Sequence, residues 1–435
     1  MKLSNLKKLI KLDNPIRIFY HYLRAIIANI YYGNPSKDMV IIWVTGTNWK
    51  TTTTNIVAKW LKEAWHKIFM FSTINYIIAD KEYVNNFKMT SPDPFILQKL
   101  LKEAKKAWCT HAVIETSSHA LLFNRVWGLD YDIAILTNIS QDHLDLHHTM
   151  KNYVNTKLLL FKSLISFKRK PWIKKTAIIN NDTKYKDLFL DETYDNMFTY
   201  GIDIKSNIRA ENIKNDINWT SFSVKIPWEI LKIETKLRWS FNIDNILAAI
   251  WVFMSLSIKP RIIEKAIKWI DFIPWRMEEI ENDLWFKIFV DYAHTPDALE
   301  NLLNTVKDIE WKNNIIIVFW STWDRDKTKR PIMWKIISTM ADKIIVTQDD
   351  DYSEKTEDII MDMLPWIKRK EWDNFWIITK RREAIRLWLL SAEKNDILLV
   401  VWKWDEHIMV TNDWPIVWND KVVIKEILKE LKNTK

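Results

Sequence analysis

Glycine is almost missing from this chain. Its 435 residues include 4 Gly, where ordinary usage of about 7% would give roughly 30. Glycine serves left-handed turns, helix ends and close backbone approaches that other residues make only at a cost. Cysteine is as scarce. Cys109 is the sole one, which excludes an internal disulfide and fits a reducing compartment. No run of roughly 18 or more apolar residues occurs, so no membrane-spanning helix is expected. The N-terminus carries Lys2, Lys7, Lys8 and Lys11 but no short apolar core with a small-residue cleavage site, so no secretory signal is expected. These absences together point to the cytoplasm.

What remains is globular. The chain is 48% hydrophobic and 27% charged, and its length suits roughly two or three domains. The net charge of +9 is spread along the chain, with clusters at Lys327-Lys329-Arg330 and Lys380-Arg381-Arg382. A solvated surface accounts for it, and phosphate-bearing substrates come next. No recognised nucleic-acid motif is present, so no nucleic-acid partner is expected.

Tryptophan is over-represented, with 26 copies. The two counts together restore an ordinary glycine complement. The stretch Val44-Thr45-Gly46-Thr47-Asn48-Trp49-Lys50-Thr51-Thr52-Thr53 reads as a phosphate-binding loop with one wrong letter. In G-x-x-G-K-T the backbone N–H groups wrap the phosphates, and the second glycine permits the close approach. Trp49 occupies that place. Trp320, Trp323 and Trp404 also stand in turn-like contexts. Some bacterial lineages read the opal codon as glycine where other codes read tryptophan, so most Trp letters are expected to be glycines. The rival reading is a genuinely Trp-rich chain that has lost nucleotide binding.

Residues 16–31 form an apolar stretch broken by Arg17, His21 and Arg24, which share one helical face. The wide apolar face could dock on the next domain or lie on a membrane surface; docking is favoured. Gly33-Asn34-Pro35 ends the element. Met39–Val44 reads as a buried parallel strand entering the loop, with a helix from about Thr51 to Ala64 after it. Apolar runs at Ala112–Ile114, Ile133–Leu136 and Ala177–Ile179 alternate with helical patterns, which argues for an α/β parallel sheet. Residues 185–240 look irregular, with weak short strands. A second alternating series has strands at Phe286–Val290, Ile315–Phe319, Lys343–Val346, Trp376–Ile378 and Ile397–Val401. Its helical patterns lie near 297–308, 331–341, 355–364 and 381–392. It reads as a Rossmann-like doubly wound unit without its own phosphate loop. The expected division is a helical segment 1–36, a central phosphate-loop ATPase domain 37–274 and a C-terminal domain 275–435, hinged at Pro274-Trp275.

Gly46, Thr47, Asn48, Trp49, Lys50, Thr51 and Thr52 form the nucleotide loop. Lys50 would neutralise terminal phosphates, and the Thr51 hydroxyl would face Mg²⁺. Glu115-Thr116-Ser117-Ser118-His119 and Asn138-Ile139-Ser140-Gln141-Asp142-His143-Leu144-Asp145 each follow an apolar strand. Strand ends on one edge of a parallel sheet converge, so Glu115 and His143 could hold a metal. Taken singly, each segment is a strand-end turn or cap. From the residues alone Lys157 is a helix-surface lysine.

With these segments in place, the chain resembles the Mur ligases, ATP-dependent amino-acid ligases of peptidoglycan precursor synthesis. It is most similar to the branch that adds the third stem-peptide residue. The resemblance adds Thr90-Ser91-Pro92-Asp93-Pro94, Phe241–Asn245, Trp275–Glu278, Asp291–Leu299, Trp323–Lys327 and Trp402–Glu406, in the family's order from residue 39 to 407. The family has glycine at Trp43, Trp49, Trp239, Trp275, Trp320, Trp323, Trp334, Trp402 and Trp404, while an aromatic suits Trp418. The resemblance implies Glu115, His143 and a carbamylated Lys157 as Mg²⁺ ligands beside Thr51. It implies Asn245 at adenine, Arg276 at the phosphates, and Asp291 and His294 at the nucleotide. Thr90, Ser91, Ser117 and Arg125 would hold a UDP-N-acetylmuramoyl-peptide, while Trp402 and Glu406 grip a free amino acid, with Asp349 and Asp350 beside it.

Three departures bear on substrate. Residues 1–38 are too few for the family's N-terminal uridine-binding domain, which is expected to be largely absent. The family's Asp-Asn-Pro-Arg motif, which in many members holds meso-diaminopimelate, reads Asp349-Asp350-Asp351-Tyr352 and lacks its arginine. The usual histidine of the last motif is Asp405. Asp350 and Asp351, directly before Tyr352, would favour a basic amino acid such as L-lysine. The implied mechanism is acyl-phosphate activation by ATP in a monomeric enzyme. The alternatives are another Mur-type or folylpolyglutamate-type ligase, or a catalytically dead binding protein if the tryptophans are real.

Overall fold

The computed structural model describes residues 14–87, 89–202, 205–215, 219–237, 240–268, 270, 277–307, 309, 312–320, 327–348, 360–361, 364–367, 369, 374–403, 408–410 and 415–433. The chain separates into two compact units. One comprises Met1–Ser140 and Leu146–Asp271, the other Gln141–Asp145 and Phe272–Lys435.

The first unit opens with helix α1 (Pro15–Tyr32). Asn14 caps it by accepting from the Ile16 N–H, Pro15 pre-sets its first turn, and Gly33 ends it in the left-handed region. The small residues Ala25 and Ala28 are buried, which lets the helix lie close against α3 (Pro94–Lys106). Arg24 pairs with Asp93 at 2.9 Å. The docked face is the one that carries Arg17, His21 and Arg24, with Arg17 and His21 against the Phe123 ring, and not the apolar face that the sequence favoured for docking. Ile16, Phe19, Ile27 and Ile30 on the helix stay exposed.

Strands of this unit are β1 (Val40–Thr45), β2 (Ile68–Phe71), β3 (Asn75–Ile78), β4 (Lys81–Val84), β5 (His111–Glu115), β6 (Ile133–Leu136), β7 (Thr176–Asn180), β8 (Asn196–Gly201), β9 (Ile208–Asn215), β10 (Thr220–Ile226) and β11 (Glu229–Thr235). They form one sheet in the order β11-β10-β9-β8-β7-β6-β1-β5-β2-β3-β4. From β2 across β5, β1, β6, β7 and β8 to β9 the pairing is parallel. β1 lies inside this run, between β5 and β6, and is buried along its whole length, as its continuous apolar sequence requires. After α3 come α4 (Ser118–Leu122) and α5 (Met150–Ser166), and helix α2 (Lys50–Glu63) leaves the loop after β1 and packs against α6 (Ser240–Ser255).

The sheet is wider than the sequence suggested. Residues 185–240 hold β8 to β11, of six to eight residues each, rather than weak short strands. β9, β10 and β11 form an antiparallel meander. Antiparallel β2-β3-β4 extends the other edge. β10 alternates buried and less buried residues, the pattern of a sheet covered on one face.

In the second unit the strands are β12 (Glu278–Glu279), β13 (Lys287–Asp291), β14 (Ile315–Phe319), β15 (Lys343–Val346), β16 (Phe375–Ile377) and β17 (Ile397–Val401). Their order is β12-β13-β17-β14-β15-β16, and all pairs but β12–β13 are parallel. Ile288, Val290, Ile316, Val318, Leu398 and Val400 pack beneath helices Arg381–Leu390 and Asp420–Asn433. This is the expected doubly wound architecture. Pro274-Trp275 and most of 355–364 lie outside the described residues. No described helix is long and apolar enough to cross a membrane.

Candidate active site

The loop between β1 and α2 is pinned from the neighbouring strand end after β6. The Thr47 N–H donates to the Asn138 carbonyl at 2.9 Å, and the Asn48 N–H donates to Asn138 Oδ1 at 2.7 Å. Thr137 Oγ1 donates to the Asn48 carbonyl at 2.7 Å. Gly46 has no room for a side chain, since a Cβ there would lie 1.8 Å from Thr137 Oγ1. Trp49 sits at the N-cap of α2 with φ 62° and ψ 4°. Its indole stacks on Phe241 at 5.8 Å and 9°. Lys50 Nζ folds back to the Thr47 carbonyl at 2.8 Å. A strand, a tight loop and a helix N-terminus are the parts of an anion site.

Glu115 organises the ground beside the loop. It ends β5, the strand paired with β1 in register Val44 to Glu115. The residue is 2% exposed, and its Oε2 accepts from Thr51 Oγ1 at 2.9 Å and from the Thr73 N–H at 2.8 Å. Thr73 Oγ1 reaches Thr90 Oγ1 at 3.2 Å. Ser91 Oγ donates to the Glu115 carbonyl, and the Ser117 N–H donates to Ser91 Oγ, each at 3.3 Å. One hydrogen-bonded line therefore joins loop residue Thr51 to Thr90, Ser91 and Ser117. Thr73, Thr137 and Asn138 carry much of this geometry, and sequence reasoning gave none of them a role. Arg125 lies over the Phe123 ring at 5.3 Å, and burial lowers its pKa.

Lys157 is not a surface residue. On α5 (Met150–Ser166) it is 1% exposed, and Nζ donates to the Gly46 carbonyl at 2.6 Å. The ammonium also lies 4.6 Å from the Tyr153 ring centroid. Asn245, on α6, accepts from Thr53 Oγ1 at 2.8 Å and is 2% exposed. Thr52 is buried in the first turn of α2. Among the described residues, no three His, Cys, Asp or Glu stand together as a metal site. The donors that fit Mg²⁺ are oxygens, a hard-ligand set. Thr51 Oγ1 and Glu115 Oε2 already touch, and a carbamate on Lys157 would add another at the loop.

In the second unit, Asp291 ends β13. Its Oδ2 accepts from the Met277 N–H at 2.7 Å, and its carbonyl accepts from the Trp402 N–H at 3.1 Å. Trp402 follows β17 at φ 87°, edge-on to His294 at 6.1 Å. Asp142 and His143 belong to this unit. Burial alone would raise the Asp142 pKa, but His143, Lys329 and His294 outweigh it and hold the carboxyl well below its ordinary value. Lys329 Nζ bonds Asp142 Oδ1 at 3.0 Å, and His143 Nε2 lies 3.3 Å from Oδ2. Arg276, Asp349, Asp350 and Glu406 lie outside the described residues.

A phosphate loop on a parallel sheet, followed by a second doubly wound unit, defines a two-part nucleotide-dependent enzyme. The Mur ligase middle domain profile matches residues 44–253, and the Mur ligase, glutamate ligase domain profile matches residues 275–401. The chain belongs to the Mur ligase family, whose members are ATP-dependent amide-bond-forming ligases. It is 36% identical over 409 residues to the UDP-N-acetylmuramoyl-L-alanyl-D-glutamate--2,6-diaminopimelate ligase of Clostridium botulinum, covering 94% of this chain and 81% of that one. The enzyme of the same name from Bacillus cereus is 35% identical over 422 residues, with coverage of 96% and 84%. A solved structure of a ligase of that name aligns with TM-score 0.62 and 28% identity, over 91% of this chain and 79% of that one. Mycobacterium tuberculosis folylpolyglutamate synthase aligns at TM-score 0.70 with 14% identity, covering 88% and 92%, which shows a shared fold.

Proposed function

We propose that this chain uses ATP to join an amino acid, as the third stem residue, to the terminal carboxylate of a UDP-N-acetylmuramoyl-dipeptide. The observation that carries the reading is the hydrogen-bonded line from Thr51 through Glu115 to Thr90, Ser91 and Ser117. It puts the residues proposed for phosphate and for acceptor peptide on one rigid frame. The names of the relatives support the same acceptor.

In this reading the acceptor carboxylate attacks the terminal phosphoryl group, ADP leaves, and the incoming amine displaces phosphate from the acyl phosphate. The N–H groups at the N-terminus of α2 and the Lys50 ammonium oppose the charge that develops on the transferring group. Mg²⁺, when bound, would supply further charge neutralisation; Thr51, Glu115, a carbamylated Lys157 and His143 are the residues that would hold it. Asn245, Arg276, Asp291 and His294 are proposed for the nucleotide, Arg125 for the acceptor, and Trp402, Glu406, Asp349 and Asp350 for the amino acid. The relatives' names specify 2,6-diaminopimelate. Tyr352 in place of the motif's arginine favours L-lysine here. Phosphate release measured with ATP, UDP-N-acetylmuramoyl-L-alanyl-D-glutamate and single amino acids tests the proposal. Release that does not depend on the acceptor peptide would overturn it.

A further inference from the structure

Three helices of the first unit end in the same hydrogen-bond motif. After α1 the Gly33 N–H donates to Ile30 and the Asn34 N–H to Asn29. After α2 the Trp65 N–H donates to Lys62 and the His66 N–H to Leu61. After α3 the Trp108 N–H donates to Lys105 and the Cys109 N–H to Ala104. This is the Schellman end, whose first residue past the cap must be left-handed and is usually glycine. Gly33 meets it at φ 76°, while Trp65 and Trp108 meet it at φ 64° and 62°.

The same backbone demand recurs at the sites. Trp49 holds φ 62° in the phosphate loop, and Trp402 holds φ 87° after β17. Among described non-glycine residues at positive φ, five are Asn and four are Trp. Asparagine tolerates this region through its short polar side chain, whereas a bulky indole has no such means. Burial does not compensate at two of them, because Trp65 and Trp108 are 93% and 79% exposed. A second observation is independent of φ. The indole N–H groups of Trp43, Trp60, Trp320 and Trp334 are buried with no hydrogen-bond partner, although a buried Trp N–H usually finds one. Aromatic packing alone does not sort the tryptophans, since Trp49 and Trp402 also meet rings; Trp127 and Trp418 differ in having no positive φ. Trp418 Nε1 donates to Asp420 Oδ1 at 2.8 Å, and Trp127 packs edge-on to Tyr22 and Phe167 at 5.3 and 6.2 Å.

We infer that the protein made in its own cell carries glycine, not tryptophan, at positions 49, 65, 108 and 402, and true tryptophan at 127 and 418. The four positions correspond to a codon that this cell reads as glycine. The phosphate loop then has a second glycine one residue before Lys50, and the strand end at 402 is free of its ring. The inference rests on backbone geometry and stands apart from the proposed substrate.

Peptide mass spectrometry of the protein isolated from its own cell decides it. The expected spectra show glycine in the peptides spanning 49, 65, 108 and 402, and tryptophan at 127 and 418. Tryptophan at all four would overturn the inference, and glycine at 127 or 418 would overturn the geometric sorting. ATP titration of the recombinant chain and of its Trp49→Gly variant gives a second readout. At least tenfold tighter binding by the variant is expected. Equal affinity would overturn the role given to position 49.

Discussion

Replacing Gly46 by alanine should damage the phosphate loop through one neighbour that can be named. The new methyl would stand 1.8 Å from Thr137 Oγ1 and 3.0 Å from the Asn138 nitrogen. Thr137 must then turn about χ1, which is stiff in a β-branched residue. Turning it gives up the bond to the Asn48 carbonyl. An off-rotamer side chain costs about 0.5–1.5 kcal/mol, and an orphaned buried acceptor costs about 1–3 kcal/mol. Gly46→Ala should therefore lose about 2–4 kcal/mol of stability. Thr137→Ala removes the clashing oxygen and forfeits the same bond, so its cost overlaps. In urea denaturation the Gly46→Ala/Thr137→Ala pair should cost at least about 1 kcal/mol less than the two single changes added, a coupling typical of touching residues. ATP binding, measured in a Trp49→Gly background, should be lost in Gly46→Ala and only partly regained in the pair, because the Asn138 backbone stays 3.0 Å away. Strict additivity, or Gly46→Ala with unchanged affinity, would refute the steric argument.

Lys157→Ala should abolish ligation, and short carboxylic acids should restore part of it by supplying an oxygen in the vacated space; full activity without additive would refute a carbamate role. Asp132 is fully buried against Lys170 and Lys175, so Asp132→Asn should cost about 3–5 kcal/mol in urea denaturation, and a loss under about 1 kcal/mol would refute that pairing. Burial first, then the neighbouring His66, depresses the His111 pKa from 6.5 to about 3. The unfolded chain therefore binds a proton that the fold refuses: the contribution is full above pH 6.5 and falls away as pH drops toward 3. At about 1.36 kcal/mol per unit its ceiling is about 5 kcal/mol, and His111→Gln should flatten the acid limb of stability between those values. In competition assays L-lysine should be preferred to meso-diaminopimelate; the reverse would show that another cation replaces the arginine missing at Tyr352.

How far the fold could be read depended on what each strand buries. β1, β5, β6, β14 and β17 are covered on both faces, so their sequences are continuous apolar runs and were legible. Ser221, Ser223 and Lys225 interrupt β10, and its partner β11 alternates in the same way. There half of every strand faces outward, and the runs look like irregular polar chain. The loop and Glu115 were legible because their chemistry is local to a strand end. Thr73 and Asn138 were not, since each acts through a bond to a residue distant in sequence.

Lys157 shows a signal that was present and passed over. Read with its neighbours, α5 buries Tyr153, Val154, Lys157, Leu158, Phe161 and Leu164. Those spacings of three and four mark one helical face, and Lys157 occupies the middle of it. A lysine on the polar side of a helix is ordinary. A lysine inside the apolar stripe must bring a partner or lose its charge. Here the partner is the carbonyl of Gly46, the residue that opens the phosphate loop. The stripe thus says that the position is buried, and the loop says what it is buried for. Substituting Lys157→Met separates the two. If the residue serves packing alone, methionine should preserve both stability and ligation. If it serves the loop, stability should survive and ligation should not.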